Sequence, residues 1–373
     1  DSDYMQKMNF RGYQVNYIDI DANPKLGFYF PFQILIPQNL NNEPELIYAC
    51  NLPGDYSKNC ESIPDLIEFI KKFKDGKYGA IDKMMMHLCL EKGNPMIIPF
   101  VPRLTNFRPN FLERDCLLND FRLVGEDKHF AKEIYMYNNL DLQHKAMIDT
   151  AINVLREEQI GDFSKVVLCG YSEGSKFASH FALLHPEIVK AIVAGGTGGV
   201  MSMPISSYDG YEFIYPTGIS GLKHFDFKEF SNIFFFYYMG DKDKSDSAIP
   251  YFLDYRYLDK DGNVQILKDE CGNSTPLIDK DGNQVFTRDA NGNYRAKFNL
   301  FSDSEVNAIN KVLGTKIQDR FRKQEAIYKN LGLKATFIIY EGNHHTVFNN
   351  CDKLFSDVDN FMLDCKKKHK ITL

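Results

Sequence analysis

With 373 residues, 44% of them hydrophobic and 25% charged, the chain has material for one large domain or two small ones around a sizeable core. A net charge of -6 without any basic stripe argues against nucleic acid as the main partner, because phosphate binding needs concentrated positive charge. No apolar run reaches the ~18–20 residues that a transmembrane helix requires.

Taken in order, residues 10–22 and 27–37 read as two strands joined by the turn Asn23-Pro24-Lys25. A third strand is predicted at 45–50, a helix at 65–73, and a fourth strand at 95–101, cut short by Pro102. Residues 141–158 place Leu142, Ala146, Ile148, Ile152 and Leu155 mostly on one helical face. Strand 165–169, helix 175–184, strand 188–194, the very apolar strand 233–239, strand 335–340 and helix 353–363 follow. Strands alternating with helices predict an α/β fold: a mostly parallel sheet covered on both faces and opened by an antiparallel pair.

Three segments break that alternation. Residues 103–140 and 195–231 are rich in aromatic side chains and read as cap or lid segments over a single domain spanning 1–373. Residues 254–300 carry a ten-residue repeat: Asp259 to Asn263, Asp269 to Asn273, Asp279 to Asn283 and Asp289 to Asn293, each Asp-x-x-Gly-Asn. That is turn chemistry, since Gly accepts positive φ, and it predicts an inserted β-meander. The repeat also resembles part of a calcium loop, but an EF-type loop needs more oxygen ligands, wider spacing and a closing Glu. His87, His180 and His224 stand apart with no HExxH pattern, and no phosphate-binding glycine motif occurs. The expectation is therefore no metal and no cofactor.

The eight cysteines, at 50, 60, 89, 116, 169, 271, 351 and 365, include no C-x-x-C. Cys50 and Cys169 each end an apolar run and read as buried free thiols. That favours a reducing, cytoplasmic setting, with secretion the alternative. The first residue is Asp1, which suggests that a leader or native start has been removed.

The chemistry centres on Val166 to Cys169 followed by Gly170-Tyr171-Ser172-Glu173-Gly174 and a helix-like segment that ends at His185-Pro186. Strand, G-x-S-x-G, helix is the context of a nucleophile elbow: a turn so tight that the serine backbone is strained and its neighbours two residues away can hardly carry a Cβ. A serine hydroxyl needs a base, and the base needs an orienting acid. In this strand order the acid follows the penultimate strand and the histidine the last. Gly240-Asp241-Lys242-Asp243-Lys244-Ser245-Asp246 and Glu341-Gly342-Asn343-His344-His345 occupy those places. Asp243 is preferred, with Asp246 the rival and Asp241 too close to the strand end. His345, in a G-x-x-H spacing, is preferred to His344. One oxyanion donor would be the N–H of Glu173, and a second would come from the loop Asn51-Leu52-Pro53-Gly54. Pro53 has no N–H, so Leu52 is favoured over Gly54.

With these motifs the chain resembles the α/β-hydrolases, and among them bacterial esterase/lipase-like serine hydrolases. The matching stretches run from Ala49-Cys-Asn-Leu-Pro-Gly54 through Phe100 to Arg103, Leu140 to Gln143, Gly170 to Gly174, His185-Pro-Glu187 with Ala194-Gly-Gly196, and Gly240 to Asp246, to Tyr340–His345. The resemblance implies an eight-stranded hydrolase sheet and a Ser172/Asp243/His345 triad acting on a small-molecule carboxylic ester. A peptidase or thioesterase would use the same groups, and a binding module could keep the fold without turnover.

Overall fold

The computed structural model describes residues 5–50, 68, 81–101, 136, 139–197, 200–245, 256–258, 264–266, 303–349 and 351–372. The predicted helix at 65–73 (Glu68 aside), nearly all of the cap at 103–140 and most of 254–300 lie outside these residues.

Strands β1 (Gln6–Phe10) and β2 (Tyr13–Ile20) form an antiparallel hairpin across Arg11-Gly12, whose φ angles are 49° and 92°. Positive φ at both loop residues gives a turn whose twist matches the flanking strands. The predicted strand 10–22 thus contains a turn, and the sheet gains an edge strand. In the second predicted strand only β3 (Phe32–Pro37) is extended. Before it, Asn23 and Phe28 close a loop through reciprocal backbone hydrogen bonds of 3.0 and 3.3 Å. Then come β4 (Leu46–Ala49), β5 (Met96–Pro99), β6 (Val166–Tyr171) and β7 (Val189–Gly195). A small hairpin, β8 (Ser207–Tyr208) and β9 (Tyr211–Glu212), precedes β10 (Phe234–Gly240). The short antiparallel pair β11 (Arg256–Leu258) and β12 (Val264–Ile266) flanks the first Asp-x-x-Gly-Asn repeat, and β13 (Lys334–Tyr340) comes last.

Nine of these make one sheet, ordered β1-β2-β3-β5-β4-β6-β7-β10-β13. It is antiparallel from β1 through the β3–β5 pair and parallel from β5 onward. It is one strand larger than expected, by the hairpin at its edge.

Period-two alternation along the strands sorts the core into two layers. One face carries Tyr48, Leu168, Ile192, Phe235 and Tyr237. Against it pack α2 (Leu140–Glu157), α3 (Glu173–Leu184) and the later helices α5 (Asp303–Leu313) and α6 (Ile317–Asn330). The other face carries Ile47, Val167, Val193, Phe236 and Tyr238. It is covered by α1 (Lys83–Met86) with its π-helical continuation His87–Glu91, and by the closing helix α7 (Asp352–Thr372). Within α2, Leu142 is not on the core face: it is 52% exposed, and Gln143, His144 and Met147 are buried instead.

Segment 195–231 runs through β8 and β9 to α4 (Phe227–Asn232). Its Phe213 and Tyr215 are buried in the main core, while Tyr208, Tyr211 and Phe225 pack partly buried against it. The side-chain amide of Gln324 on α6 brackets Met201, accepting its N–H at 3.3 Å and donating to its carbonyl at 2.8 Å. Tyr328 donates to the Ser202 carbonyl at 2.6 Å. The described cysteines, including the buried Cys50 and Cys169, are free thiols, and no helix among the described residues is long and apolar enough to cross a membrane.

Candidate active site

Strand β6 ends at Tyr171, and α3 begins at Glu173. Between them Ser172 has φ 56° and ψ -119°, a conformation that costs an L-residue on the order of 1–3 kcal/mol and persists only where the surroundings impose it. The surroundings do impose it. The Ser172 N–H donates to the Gly195 carbonyl at 2.8 Å, and the Ser172 carbonyl accepts from the Ser175 hydroxyl at 2.6 Å. A Cβ at Gly170 would lie 2.5 Å from the Gly174 carbonyl oxygen and 3.0 Å from Cys50 Cβ, so only glycine lets strand and helix approach this closely. Ser172 itself is half-buried, and Glu173 is the first residue of the helix.

The parallel register sets the other two groups beside it. Strand β7 separates β6 from β10, and β10 pairs with β13 so that Gly240 lies opposite Tyr340. Just past those ends, the Ser172 hydroxyl is 3.0 Å from His344 Nε2, and His344 Nδ1 is 2.9 Å from Asp243 Oδ2. Asp243 is 1% exposed, and its other carboxylate oxygen accepts the Ser245 N–H at 2.8 Å. The Gln318 side chain holds the Asp243 carbonyl at 2.7 Å. An imidazole bonded on both nitrogens, to a hydroxyl and to a buried carboxylate, has its tautomer fixed by the acid. In that tautomer it can take a proton from the hydroxyl.

The preference for His345 is corrected: the histidine in this row is His344. The reason is local. Gly342, with φ 134°, turns the chain immediately after β13, and the Asn343 side chain accepts the N–H groups of His345 and Thr346, both at 2.9 Å. That turn aims the first imidazole inward and leaves the second exposed, its ring edge-on to His344 at 5.4 Å. Of Asp243 and its rival Asp246, Asp243 is the one described, and it is bonded to His344. Asp246 and Leu52 lie outside the described residues, as does Gly54. Two residues near the site were not assigned a part from sequence. Asp241 accepts the Gly342 N–H at 2.8 Å, and Tyr171 donates to the His344 carbonyl at 2.6 Å. A tyrosine in the free position of G-x-S-x-G gives no signal of this kind.

A strained serine between strand and helix, with acid and histidine following the next strands in the chain order Ser, Asp, His, decides the architecture. The fold is that of the α/β-hydrolases. No protein-family model matches the sequence, and no curated protein does. Among solved structures, the chain is similar to a poly(3-hydroxybutyrate) depolymerase from Bordetella parapertussis, at 12% identity and a TM-score of 0.45, over 92% of this chain and 90% of that one. It is similar also to an S-formylglutathione hydrolase from Agrobacterium tumefaciens, at 11% identity and a TM-score of 0.41, over 96% and 98% of the two chains. A ferulic acid esterase is similar at 10% identity and a TM-score of 0.40, over 94% of this chain and 98% of that one.

Proposed function

We propose that the protein is a serine hydrolase that cleaves carboxylic esters of small molecules through an acyl-enzyme. The observation that carries this reading is the hydrogen-bonded row Ser172–His344–Asp243 at the ends of three parallel strands. In the proposed reaction His344 Nε2 takes the Ser172 proton as Oγ attacks the ester carbonyl. The N–H of Glu173, with that of Leu52 as partner, holds the negative oxygen of the tetrahedral intermediate. His344 then gives its proton to the departing alcohol. Water, deprotonated by the same imidazole, releases the acid and restores the serine. Asp243 keeps the imidazole in the tautomer that presents Nε2 to the serine and stabilises its charged form.

The test is a fluorophosphonate probe together with a panel of p-nitrophenyl esters, thioesters and peptide amides. Wild type should label and turn over esters, and Ser172→Ala should do neither. Unlabelled wild type would overturn the reading in favour of a binding module, and amide or thioester turnover exceeding ester turnover would overturn its substrate class.

A further inference from the structure

We propose that Tyr171 is a positioning residue for the histidine: its hydroxyl holds the main chain of His344 from the serine's own strand. This rests on the serine-hydrolase reading above. The Tyr171 hydroxyl donates to the His344 carbonyl at 2.6 Å. Its ring lies 5.2 Å from the His344 ring, 4.8 Å from Phe348 and 6.0 Å from Tyr238, so the phenol is wedged rather than swinging. Burial foremost, then the carboxylates of Asp243 and Asp82, push the phenol's pKa well above the ordinary range, so it stays a donor at every working pH.

The backbone around the ring is cut to fit it. A Cβ on Gly196 would stand 2.7 Å from the tyrosine Cζ and 2.9 Å from its hydroxyl oxygen. Gly196 donates to the Tyr238 carbonyl at 3.0 Å, and Gly195 next to it accepts the Ser172 N–H at 2.8 Å. The last residue of β7 and the glycine that follows it therefore hold the Ser172 backbone and clear the space for its neighbour's ring.

Two links then join consecutive residues of the elbow to one histidine. The first, Ser172 Oγ to His344 Nε2, is consumed by the chemistry, because an acylated Oγ has no proton to donate. The second, Tyr171 to the His344 carbonyl, touches no reacting atom and survives acylation. It would keep the imidazole in reach of the attacking water when the serine no longer holds it. Displacing a catalytic group by about 1 Å can cost on the order of a hundredfold in rate, and the tyrosine link acts against such drift.

Tyr171→Phe tests this, because it keeps the ring and removes the donor. The expected result is about tenfold lower steady-state kcat with KM unchanged, a smaller loss in the acylation burst, where the serine still holds the imidazole, and correspondingly slower fluorophosphonate labelling. The His344 Nδ1–H proton resonance should exchange with water faster than in wild type. Gly196→Ala, which displaces the ring, should reproduce the resonance change. Labelling and resonance equal to wild type would overturn the proposal, as would a loss confined to KM with the resonance unmoved. Wild type that fails to label would sink the hydrolase reading instead, and the resonance would still decide whether Tyr171 orders His344.

Discussion

The Asp241 carboxylate accepts the Gly342 N–H at 2.8 Å, tying the loop after β10 to the loop after β13. Two backbone bonds run beside it, Asp241 N–H to the Tyr340 carbonyl at 2.8 Å and Lys242 N–H to the Gly342 carbonyl at 2.9 Å. Asp243 and His344 each sit two residues beyond this closure, so their separation is set by it. Asp241→Ala should lower kcat about fivefold with little loss of stability, since an exposed hydrogen bond contributes about 1 kcal/mol or less. Asp241→Asn keeps an acceptor and should restore most of the activity. Kinetics of the pair check this, and an Asn variant no better than Ala would count against the tie.

Asp243→Asn should reduce turnover by about three to four orders of magnitude, because the amide no longer selects the productive tautomer. His344→Ala should be at least as severe, and His345→Ala should stay within about threefold of wild type, since its imidazole only flanks the row. Steady-state kinetics of the three variants on one ester decide the assignment. Loss on substituting residue 345 with retention on substituting 344 would reverse it.

Gly170→Ala should destabilise the protein by about 1–3 kcal/mol, because its Cβ would meet Gly174 backbone atoms at 2.5 and 2.6 Å that cannot move without opening the elbow. Urea unfolding measures the loss, and the labelling rate should fall with it. Unchanged stability would mean that strand and helix are less tightly apposed than described.

His144 supplies a pH prediction. It is fully buried on α2, with the Tyr48 hydroxyl bonded to Nδ1, the Phe177 ring 4.6 Å away, and no hydrogen-bond partner for Nε2 among the described residues. Burial pushes its pKa down to about 3. The unfolded chain takes up this proton near pH ~6.5 whereas the folded chain does not until about 3, so stability falls as pH drops through that window. His144→Gln keeps an acceptor for Tyr48 but does not titrate. Between pH 7 and pH 5 the wild type should lose about 2 kcal/mol more than the Gln variant in urea unfolding. Parallel pH profiles would remove His144 as the cause.

The strained serine turn was legible in the sequence because its constraint is local: the tight approach of strand and helix leaves no room for a Cβ at Gly170, and the strand and helix on either side follow their own periodicities. Asp243 was singled out by its distance to the end of a strongly apolar strand, and it lies 2.9 Å from His344. The histidine was ambiguous by one position because its direction depends on the turn at Gly342 and the Asn343 side chain, together with a carboxylate a hundred positions earlier in the chain. The Arg11-Gly12 hairpin was hidden because arginine is an uncommon residue at positive φ. Helix α6 was hidden because Arg320 and Gln324 are buried beside Ile317, Phe321 and Tyr328, which breaks the apolar stripe a reader looks for. The Arg320 guanidinium is satisfied there by the Gly314 carbonyl at 2.7 Å and the Asn310 side chain at 2.9 Å.

The backbone angles at Ser172 set thermal robustness against chemistry. Glycine accepts φ 56° and ψ -119° without the crowding a Cβ meets, so Ser172→Gly should melt higher than the native chain while doing nothing to an ester. Selection for heat tolerance alone would therefore erase the hydroxyl, and any screen for hardier variants of this protein has to score turnover alongside melting temperature.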